Sequence, residues 1–248
     1  MSPHTLRKKE ILALLANHGS LSIVELAHRF NVSEMTIRRD IHHLAGSGQI
    51  IRTPGGATLN RVITFERDFS DRLRKMCEAK DKIGRAAASL VRDGESIVLD
   101  SGTTTLNIAR HLRDRKDITV ITFSLAVLDD LHAARVELTG GRHRRSSLDL
   151  VGTQVSEVLN KVHANKVFFG AAAISFRKGV MVNDPEAPRE MLQAGTERFL
   201  VIDSSKIGTE ALYLYCHVED CDQIITDDGI KSEDLYRLRK ITNVIVAE

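Results

Sequence analysis

Apolar and polar positions alternate at helical spacing near the amino terminus of the chain. Ser22 and Glu25 have the spacing of a capping box, which predicts a helix that begins at Ile23. Ser33 predicts the cap of a following helix that runs to about Ala45, because a serine hydroxyl accepts from an orphan amide of the first turn. The apolar positions of an earlier predicted helix are Leu6, Ile11, Leu12, Leu14 and Leu15.

The second capped helix has one apolar and one polar face. Ile37, Ile41 and Leu44 share the apolar face, which is expected to be buried. The opposite face has polar groups that suit phosphates and major-groove base edges. The residues expected on that polar face are Glu34, Thr36, Arg38, Arg39, Asp40 and His43.

A short strand and a glycine turn follow this helix. Gly46 and Gly48 are expected to end it, residues 49–52 form a predicted strand, and residues 54–56 form a predicted turn. This order is typical of a winged helix-turn-helix that binds DNA, and the alternative is a winged helix that binds protein. The residues predicted to contact DNA are Ser33, Glu34, Met35, Thr36, Arg38, Arg39, His43, Arg52, Gly55 and Gly56.

From residue 95 onward, short β-branched runs alternate with helical stretches, which predicts a mainly parallel α/β sheet with helices on both faces. The predicted strands are Ser96–Leu99, Ile118–Thr122, Val136–Thr139, Lys166–Phe169, Phe199–Ile202, Gln223–Ile225 and Asn243–Val246. The predicted helices are Thr104–Leu112, Leu125–His132, Val151–Leu159, Pro188–Gly195 and Ser232–Lys240, after one at Met76–Val91. The predicted division is a DNA-binding domain at 1–57, a linker at 58–75 and an effector-sensing and oligomerisation domain at 76–248.

In such sheets, ligands bind beyond the carboxyl ends of the strands. The segment 100–105 follows a predicted buried strand and combines a glycine turn with hydroxyls that open a helix, which favours an anion. Ordinary threonine capping is the alternative. No Gly-Lys-Ser/Thr follows, so ATP and GTP are disfavoured. The residues predicted to bind an effector are Asp100, Ser101, Gly102, Thr103, Thr104, Thr105, Ser124, Gly140, Gly141, Arg145, Glu186 and Lys206.

Charge and cysteine content narrow the classes of function. The net charge of +2 is small, and residues 1–57 have seven Lys/Arg against four Asp/Glu. A single copy should bind DNA weakly, so a homo-oligomer is expected, with dimer and tetramer both open. Cys77, Cys216 and Cys221 form no disulfide framework, and no secretory or membrane segment is evident. We therefore expect a cytoplasmic protein without membrane contact, cofactor, metal site or catalytic residues.

Residues 32–40 and 52–57 resemble the DeoR family of bacterial transcriptional regulators, and the resemblance continues into the sheet domain. Three residues depart from the family pattern: Pro54 in the wing, Phe123 after the second strand, and Arg189, near the usual lysine at altered spacing. In the sheet domain, the resemblance rests on residues 100–105, Ser124, Gly140, Gly141, Gly152, Gly170, Glu186, Ala187, Asp203, Ser205, Lys206, Asp222 and 224–227.

The family resemblance implies a sugar-phosphate sensing domain similar to ribose-5-phosphate isomerase and the glucosamine-6-phosphate deaminases. It implies a repressor of a carbohydrate operon, whose affinity for double-stranded operator DNA is controlled by a phosphorylated sugar. The alternative is a sugar-phosphate isomerase or deaminase with an appended DNA-binding segment, since Asp100, Glu186 and Lys206 are residue types that serve as acids and bases.

Overall fold

The computed structural model of the chain describes residues 3–46, 50–59, 62–63 and 69–248. Contacts divide the chain into two compact units, Met1–Phe65 and Glu66–Glu248. The division falls inside the segment that the sequence assigns to a linker, and the limits of the predicted domains stay predictions.

The first unit is a winged helix, as its sequence pattern predicts. Its small antiparallel sheet has the strand order β1-β3-β2. Gly48, expected at the end of the second capped helix, and Gln49, expected at the start of the strand, lie outside the described part of the chain. The elements are α1 (Pro3–His18), β1 (Ser20–Ser22), α2 (Ile23–Phe30), α3 (Glu34–Gly46), β2 (Ile50–Thr53) and β3 (Gly56–Leu59), with β4 (Val62–Ile63) beyond the wing.

One residue of α3 differs from its sequence expectation. Asp40 was expected on the polar face, but it is fully buried, and Arg7 of α1 donates to its Oδ2 over 2.6 Å. Position 40 follows Ile37 by three residues and precedes Leu44 by four, so it lies on the same helical stripe as these core residues. The stripe is therefore not wholly apolar: an ion pair between α1 and α3 completes it.

The second unit is an α/β domain. Its helices are α4 (Phe69–Arg74), α5 (Cys77–Ser89), α6 (Thr103–Leu112), α7 (Leu125–Asp130), α8 (Thr153–Leu159) and α9 (Ser232–Arg239). Its strands up to residue 169 are β5 (Ser96–Leu99), β6 (Thr119–Thr122), β7 (Arg135–Leu138), β8 (Arg142–Arg144), β9 (Asp149–Val151) and β10 (Ala164–Phe169). The later strands are β11 (Ala173–Ser175), β12 (Gly179–Val182), β13 (Gly195–Val201), β14 (Glu210–Ala211), β15 (Tyr213–Cys216), β16 (Gln223–Asp227) and β17 (Asn243–Ala247).

All seven predicted strands are present and form one sheet, in the order β17-β16-β13-β10-β5-β6-β7. Every pairing in it is parallel. Two apolar clusters, which include the stacked rings of Phe168 and Phe199, account for most of the buried core of this unit. The chain winds outward from β5 toward β7 and then returns to β10 on the other side of β5. The loops after β5 and β10 therefore meet where the winding reverses, the usual position of a ligand site in such a sheet.

The helices predicted near Pro188 and Val151 differ from their expected form. The helix expected over Pro188–Gly195 is a 3₁₀ turn at Arg189–Gln193. The helix expected from Val151 begins at Thr153, because Gly152 has φ = 109° and the residues before it pair as strand β9. Gly152 cannot belong to the helix, since a residue with positive φ cannot lie inside an α-helix. Val151 is part of strand β9, so the helix begins two residues later than expected.

Several short elements had no clear sequence signal. The β8–β9 hairpin and the antiparallel sheet β11-β12-β15 are built from strands of three or four residues. Residues 69–74, assigned to the linker, form α4 because Phe69 is buried against the core beside Ile83 and Leu106. Short strands without a regular alternation of apolar residues give little pattern to read.

We expect Arg7→Met to weaken the first unit. Removing the guanidinium deletes the 2.6 Å ion pair of the buried Asp40 carboxylate, which should cost about 2 to 3 kcal/mol. Native-state hydrogen exchange of the α3 amides should then be roughly 30-fold faster or more, at 1.36 kcal/mol per factor of ten. The control is Arg38→Met, because the Arg38–Glu34 pair on the same helix is half exposed and contributes little. Equal exchange rates in the two variants would show that the buried pair does not stabilise α3.

Candidate functional site

The turn between α2 and α3 sets the angle between these two helices. The α2 N-terminus has a full capping box, in which Glu25 accepts from the Ser22 amide at 2.8 Å and the Ser22 hydroxyl accepts from the Glu25 amide at 3.1 Å. Asn31 ends α2 in the left-handed region at φ = 47°. Ser33 then accepts from the Thr36 amide at 3.3 Å, as a cap of α3 does. The local sequence thus determines both ends of the turn.

The exposed side of α3 carries the residues that the sequence predicts to contact DNA. Met35, Arg38, Arg39 and His43 are exposed, and Thr36 is half-buried beside Ser33. Arg38 is 3.3 Å from Glu34, with both side chains about half exposed, so this pair is weak and can be replaced by a phosphate contact. The face presents cations and hydrogen-bonding groups to solvent.

The two glycines of the wing have different structural roles. Gly55 lies at the exposed tip with φ = 83°, which favours glycine, and its carbonyl accepts from the Ile23 amide at 2.8 Å. Gly56 is buried, and a Cβ there would lie 2.4 Å from the Leu21 carbonyl oxygen. Gly56 is therefore required for the close approach of β3 to β1. Arg52 remains exposed on β2.

Asp100 joins the two central loops of the parallel sheet. Its Oδ2 accepts from the Gly170 amide at 2.9 Å, and its Oδ1 accepts from the Ser101 amide at 2.7 Å. Burial raises the pKa of Asp100 to about 6, although both amides act in the opposite direction, and Asp149 adds to the rise. A carboxyl group that titrates near neutral pH at the carboxyl edge of a sheet is typical of a functional site.

The loop 100–105 has the form of an anion cradle, though its hydroxyls are not all free. Helix α6 begins after Gly102, which provides no side-chain cap. The Thr105 hydroxyl lies 2.7 Å from the carbonyl oxygens of both Asp100 and Gly102, so its proton is used within the loop. Thr103 and Thr104 are almost fully buried. The amides of the first helical turn are the donors best placed for a ligand, because the Ser101 hydroxyl donates to Asp149.

Ser101 also contacts an ion-pair network that sequence reasoning missed. Its hydroxyl donates to Oδ2 of Asp149 at 3.0 Å, and Arg144 holds the same carboxylate through two bonds of 3.0 and 2.7 Å. Arg144 also donates to Asp184 at 2.6 Å. Burial alone would lower the pKa of Arg144, but the bonds to Asp149 and Asp184 raise it above its ordinary value. The sequence analysis predicted that Arg145 binds the effector. Arg145 is the residue after Arg144 and is exposed.

Lys206 lies on the loop after β13, beside the central loops. Its ammonium donates to the carbonyl of Ala171 at 2.8 Å and is 3.7 Å from Oδ2 of Asp203. Burial would raise the pKa of Asp203, yet Lys206 and the Ser205 hydroxyl keep it below its ordinary value. Asp227 fixes the loop, because its two carboxylate oxygens accept from the Ser204 amide and hydroxyl at 2.6 and 2.8 Å.

A second lysine reaches the same edge. Lys80 of α5 is only 3% exposed, and burial together with the nearby charge of Lys206 lowers its pKa to about 8. The signal was present in the sequence, because Lys80 precedes the buried Ile83 by three residues and Ala87 by seven. A lysine on the buried stripe of an amphipathic helix is unusual unless its charge has a partner.

The other predicted effector residues lie around these loops or outside them. Ser124 is buried, and its hydroxyl caps α7 by accepting from the Val127 amide at 3.2 Å. A Cβ on Gly141 would lie 2.9 Å from the Val151 carbonyl, so this glycine permits the close approach of β9, while Gly140 is exposed at φ = 74°. Glu186 is exposed and pairs with Arg142 at 3.3 Å.

The cysteines and the possible metal ligands add no second centre within the described residues. Cys216 and Cys221 are free and buried, and their thiols lie close enough for the hydrogen bond from Cys216 and burial to raise the pKa of Cys221. Among the described residues, no group of three or more His, Cys, Asp or Glu side chains is arranged to hold a metal. No helix in that part of the chain has the length and hydropathy of a membrane span.

Both units match known protein families. The family model described as the DeoR-like helix-turn-helix domain matches residues 7–62, and the DeoR C terminal sensor domain matches residues 75–228. The chain belongs to the DeoR family of transcriptional regulators. This confirms the resemblance drawn from the α3 and wing residues, and it places the protein among regulators rather than among isomerases or deaminases.

Relatives in the family are similar over nearly the whole chain. The HTH-type transcriptional repressor GlcR of Bacillus subtilis is 35% identical over 223 residues, which cover 88% of this chain and 86% of that protein. The lactose phosphotransferase system repressor of Streptococcus mutans is 32% identical over 247 residues, with 96% and 98% covered. Among solved structures, ribose 5-phosphate isomerase A of Methanocaldococcus jannaschii aligns with a TM-score of 0.41 and 17% identity, over 54% of this chain and 55% of that one.

The raised pKa of Asp100 predicts a stability difference that depends on pH. The folded-state pKa of about 6 lies above the ordinary 3.8, so the folded state holds a proton that the unfolded state has lost. Relative to Asp100→Asn, the wild type should therefore lose up to about 3 kcal/mol of unfolding free energy as pH rises from 4 to 7. Urea unfolding followed by tyrosine fluorescence measures this, since all three tyrosines lie in the second unit. A difference that is the same at every pH would show that Asp100 is not protonated near pH 6.

Proposed function

We propose that this protein is a repressor that binds double-stranded operator DNA through α3 and the wing, and that a phosphorylated sugar bound beside β5 and β10 controls its operator affinity. The observation that supports effector control most strongly is the group of donors at the winding reversal of the sheet. Asp100 holds the loop there, the uncapped start of α6 offers amides, and Lys206 supplies a cation.

The DNA-binding part of the proposal is supported by the exposed face of α3. Arg38 and Arg39 lie on a helix whose other side is fully packed, and Arg52 lies on the exposed surface of the wing. Arginine suits both phosphate oxygens and guanine edges. The excess of only three positive charges in residues 1–57 favours a homo-oligomer, because two reading helices double the number of phosphate contacts. A dimer or a tetramer in the cytoplasm fits this requirement.

The sugar part of the proposal is supported by the chemistry at the sheet edge. A phosphorylated sugar needs amide and cationic donors for its phosphate and carboxylate acceptors for its hydroxyls. The described loops offer the amides at the uncapped start of α6 and Lys206 for the first need, and Asp100 and Asp184 for the second. The similar repressor of Streptococcus mutans is named for a lactose phosphotransferase system, which agrees with regulation by a carbohydrate.

The direct test is a thermal-shift screen against phosphorylated sugars, including ribose 5-phosphate and glucosamine 6-phosphate, followed by operator titrations with each ligand that raises the melting temperature. A ligand that binds only the native state must raise it. A matching unphosphorylated sugar for each compound separates phosphate recognition from sugar recognition. The proposal requires a ligand that both stabilises the protein and changes its operator affinity.

We expect Arg39→Ala to weaken operator binding while the fold is retained. Loss of a phosphate contact should reduce the salt dependence of binding, whereas loss of a bidentate contact to guanine should cost about 1 to 3 kcal/mol at one base pair. Titrations against salt and against single-base operator variants distinguish the two cases. Arg135→Ala is the control, because Arg135 is an exposed arginine of the second unit that pairs with Glu137. Unchanged binding by Arg39→Ala combined with Arg38→Ala would exclude α3 as the reading helix.

We expect Lys206→Met to lower effector affinity roughly 10- to 100-fold, because a hydrogen bond to a charged group contributes about 1.5 to 3 kcal/mol. Thr104→Val should have a similar effect if its hydroxyl contacts the phosphate, at nearly constant side-chain volume. Operator affinity without effector should stay near the wild-type value. Lys178→Met is the matched control, since Lys178 is an exposed lysine that pairs with Glu210. Wild-type response to effector in both site variants would place the ligand elsewhere.

A further inference from the structure

Helix α4 is the first described element of the second unit. The chain that comes from the first unit therefore enters the second unit at this helix. Its first residue is anchored twice. Phe69 is buried in the core, and its amide donates to the carbonyl of Ser146 at 2.9 Å. Ser146 lies in the turn of the β8–β9 hairpin. The start of α4 is therefore fixed by a hairpin.

The other end of α4 is held by Lys80. The ammonium of this buried side chain donates to the carbonyl of Arg72 and, at 2.7 Å, to the carbonyl of Lys75. The last carbonyls of a helix have no partner within it, and a cation there is favourable. Lys80 thus acts as a cap for the carboxyl end of α4, supplied by the next helix.

The two ends of α4 are both held by groups that lie next to the candidate effector site. Ser147, next to Ser146, donates to Oδ1 of Asp149 at 2.7 Å, and Oδ2 of the same carboxylate accepts from Ser101. At the other end, Lys80 interacts electrostatically with Lys206 and Asp203. The Lys206 ammonium is 3.7 Å from Oδ2 of the buried Asp203, and the charge of Lys80 acts on the same carboxylate. An anion at this edge would supply a second negative charge.

We infer that α4 is the coupling element of this regulator and that Lys80 is its positioning residue: an anion bound between Ser101 and Lys206 draws the Lys80 ammonium from the carbonyls of α4 and frees the end of that helix. The inference rests on the proposed function, since it requires an anionic ligand at this site. A bond from ammonium to phosphate is stronger than one to a neutral carbonyl. The ligand therefore favours the arrangement in which α4 is released, and this differential affinity shifts the equilibrium.

The experiment is hydrogen–deuterium exchange of the full-length protein, followed over residues 69–76, with and without millimolar inorganic phosphate and with chloride at equal ionic strength as the reference. In the wild type, phosphate should speed exchange in this segment several-fold. In Lys80→Met, exchange should already be fast without phosphate and should not respond to it. The matched control is Lys82→Met on the same helix, which removes a partly exposed pair with Asp228 and should behave as wild type.

The outcomes separate the coupling from the site itself. If phosphate raises the melting temperature of the wild type and exchange over 69–76 does not change, the coupling through α4 is wrong and the anion site stands. If neither phosphate nor any sugar phosphate raises the melting temperature, the proposed function fails and the inference fails with it. The wild-type measurement does not depend on any variant, so it decides the question even if Lys80→Met does not fold.

Discussion

The bond between the Asp100 carboxylate and the Gly170 amide is the contact on which the sensor edge depends. It spans the loops after β5 and β10, the two strands at which the winding of the parallel sheet reverses. The second oxygen of Asp100 accepts from the Ser101 amide and fixes the start of the anion loop. The Asp100 side chain therefore joins the loop after β5 to the loop after β10 directly before α6 begins.

The same edge balances its own charges before any ligand arrives. Asp149 accepts from Arg144 and Ser101, and the charges of the half-buried Lys206 and the buried Lys80 both act on Asp203. Under the proposed function, a ligand that binds here would rearrange internal ion pairs. An anion of the wrong shape would break these contacts without replacing them, which is costly for buried charges. The proposal thus assigns selectivity and conformational response to the same set of groups.

The reading unit depends on a different buried pair. Arg7 of α1 and Asp40 of α3 meet in the core of the winged helix, where their neighbours are apolar. The pair fixes how α3 rotates against α1, and so which of its residues face outward. Because Asp40 is buried, its negative charge does not lie on the exposed face that carries Arg38 and Arg39.

The sequence by itself determined the elements whose signals are local. Caps at Ser22 and Ser33 predicted α2 and α3, and β-branched runs predicted all seven strands of the parallel sheet, because hydrogen bonds within a turn and apolar periodicity depend on neighbours in the chain. Only the tertiary structure decided which polar side chains meet. Asp40 with Arg7 and Arg144 with Asp149 and Asp184 are contacts between separate elements. Lys80 with the carbonyls of α4 is another such contact, made between neighbouring helices. Such partners are chosen by packing and by the need to neutralise buried charge, and neither is visible in the order of residues along the chain.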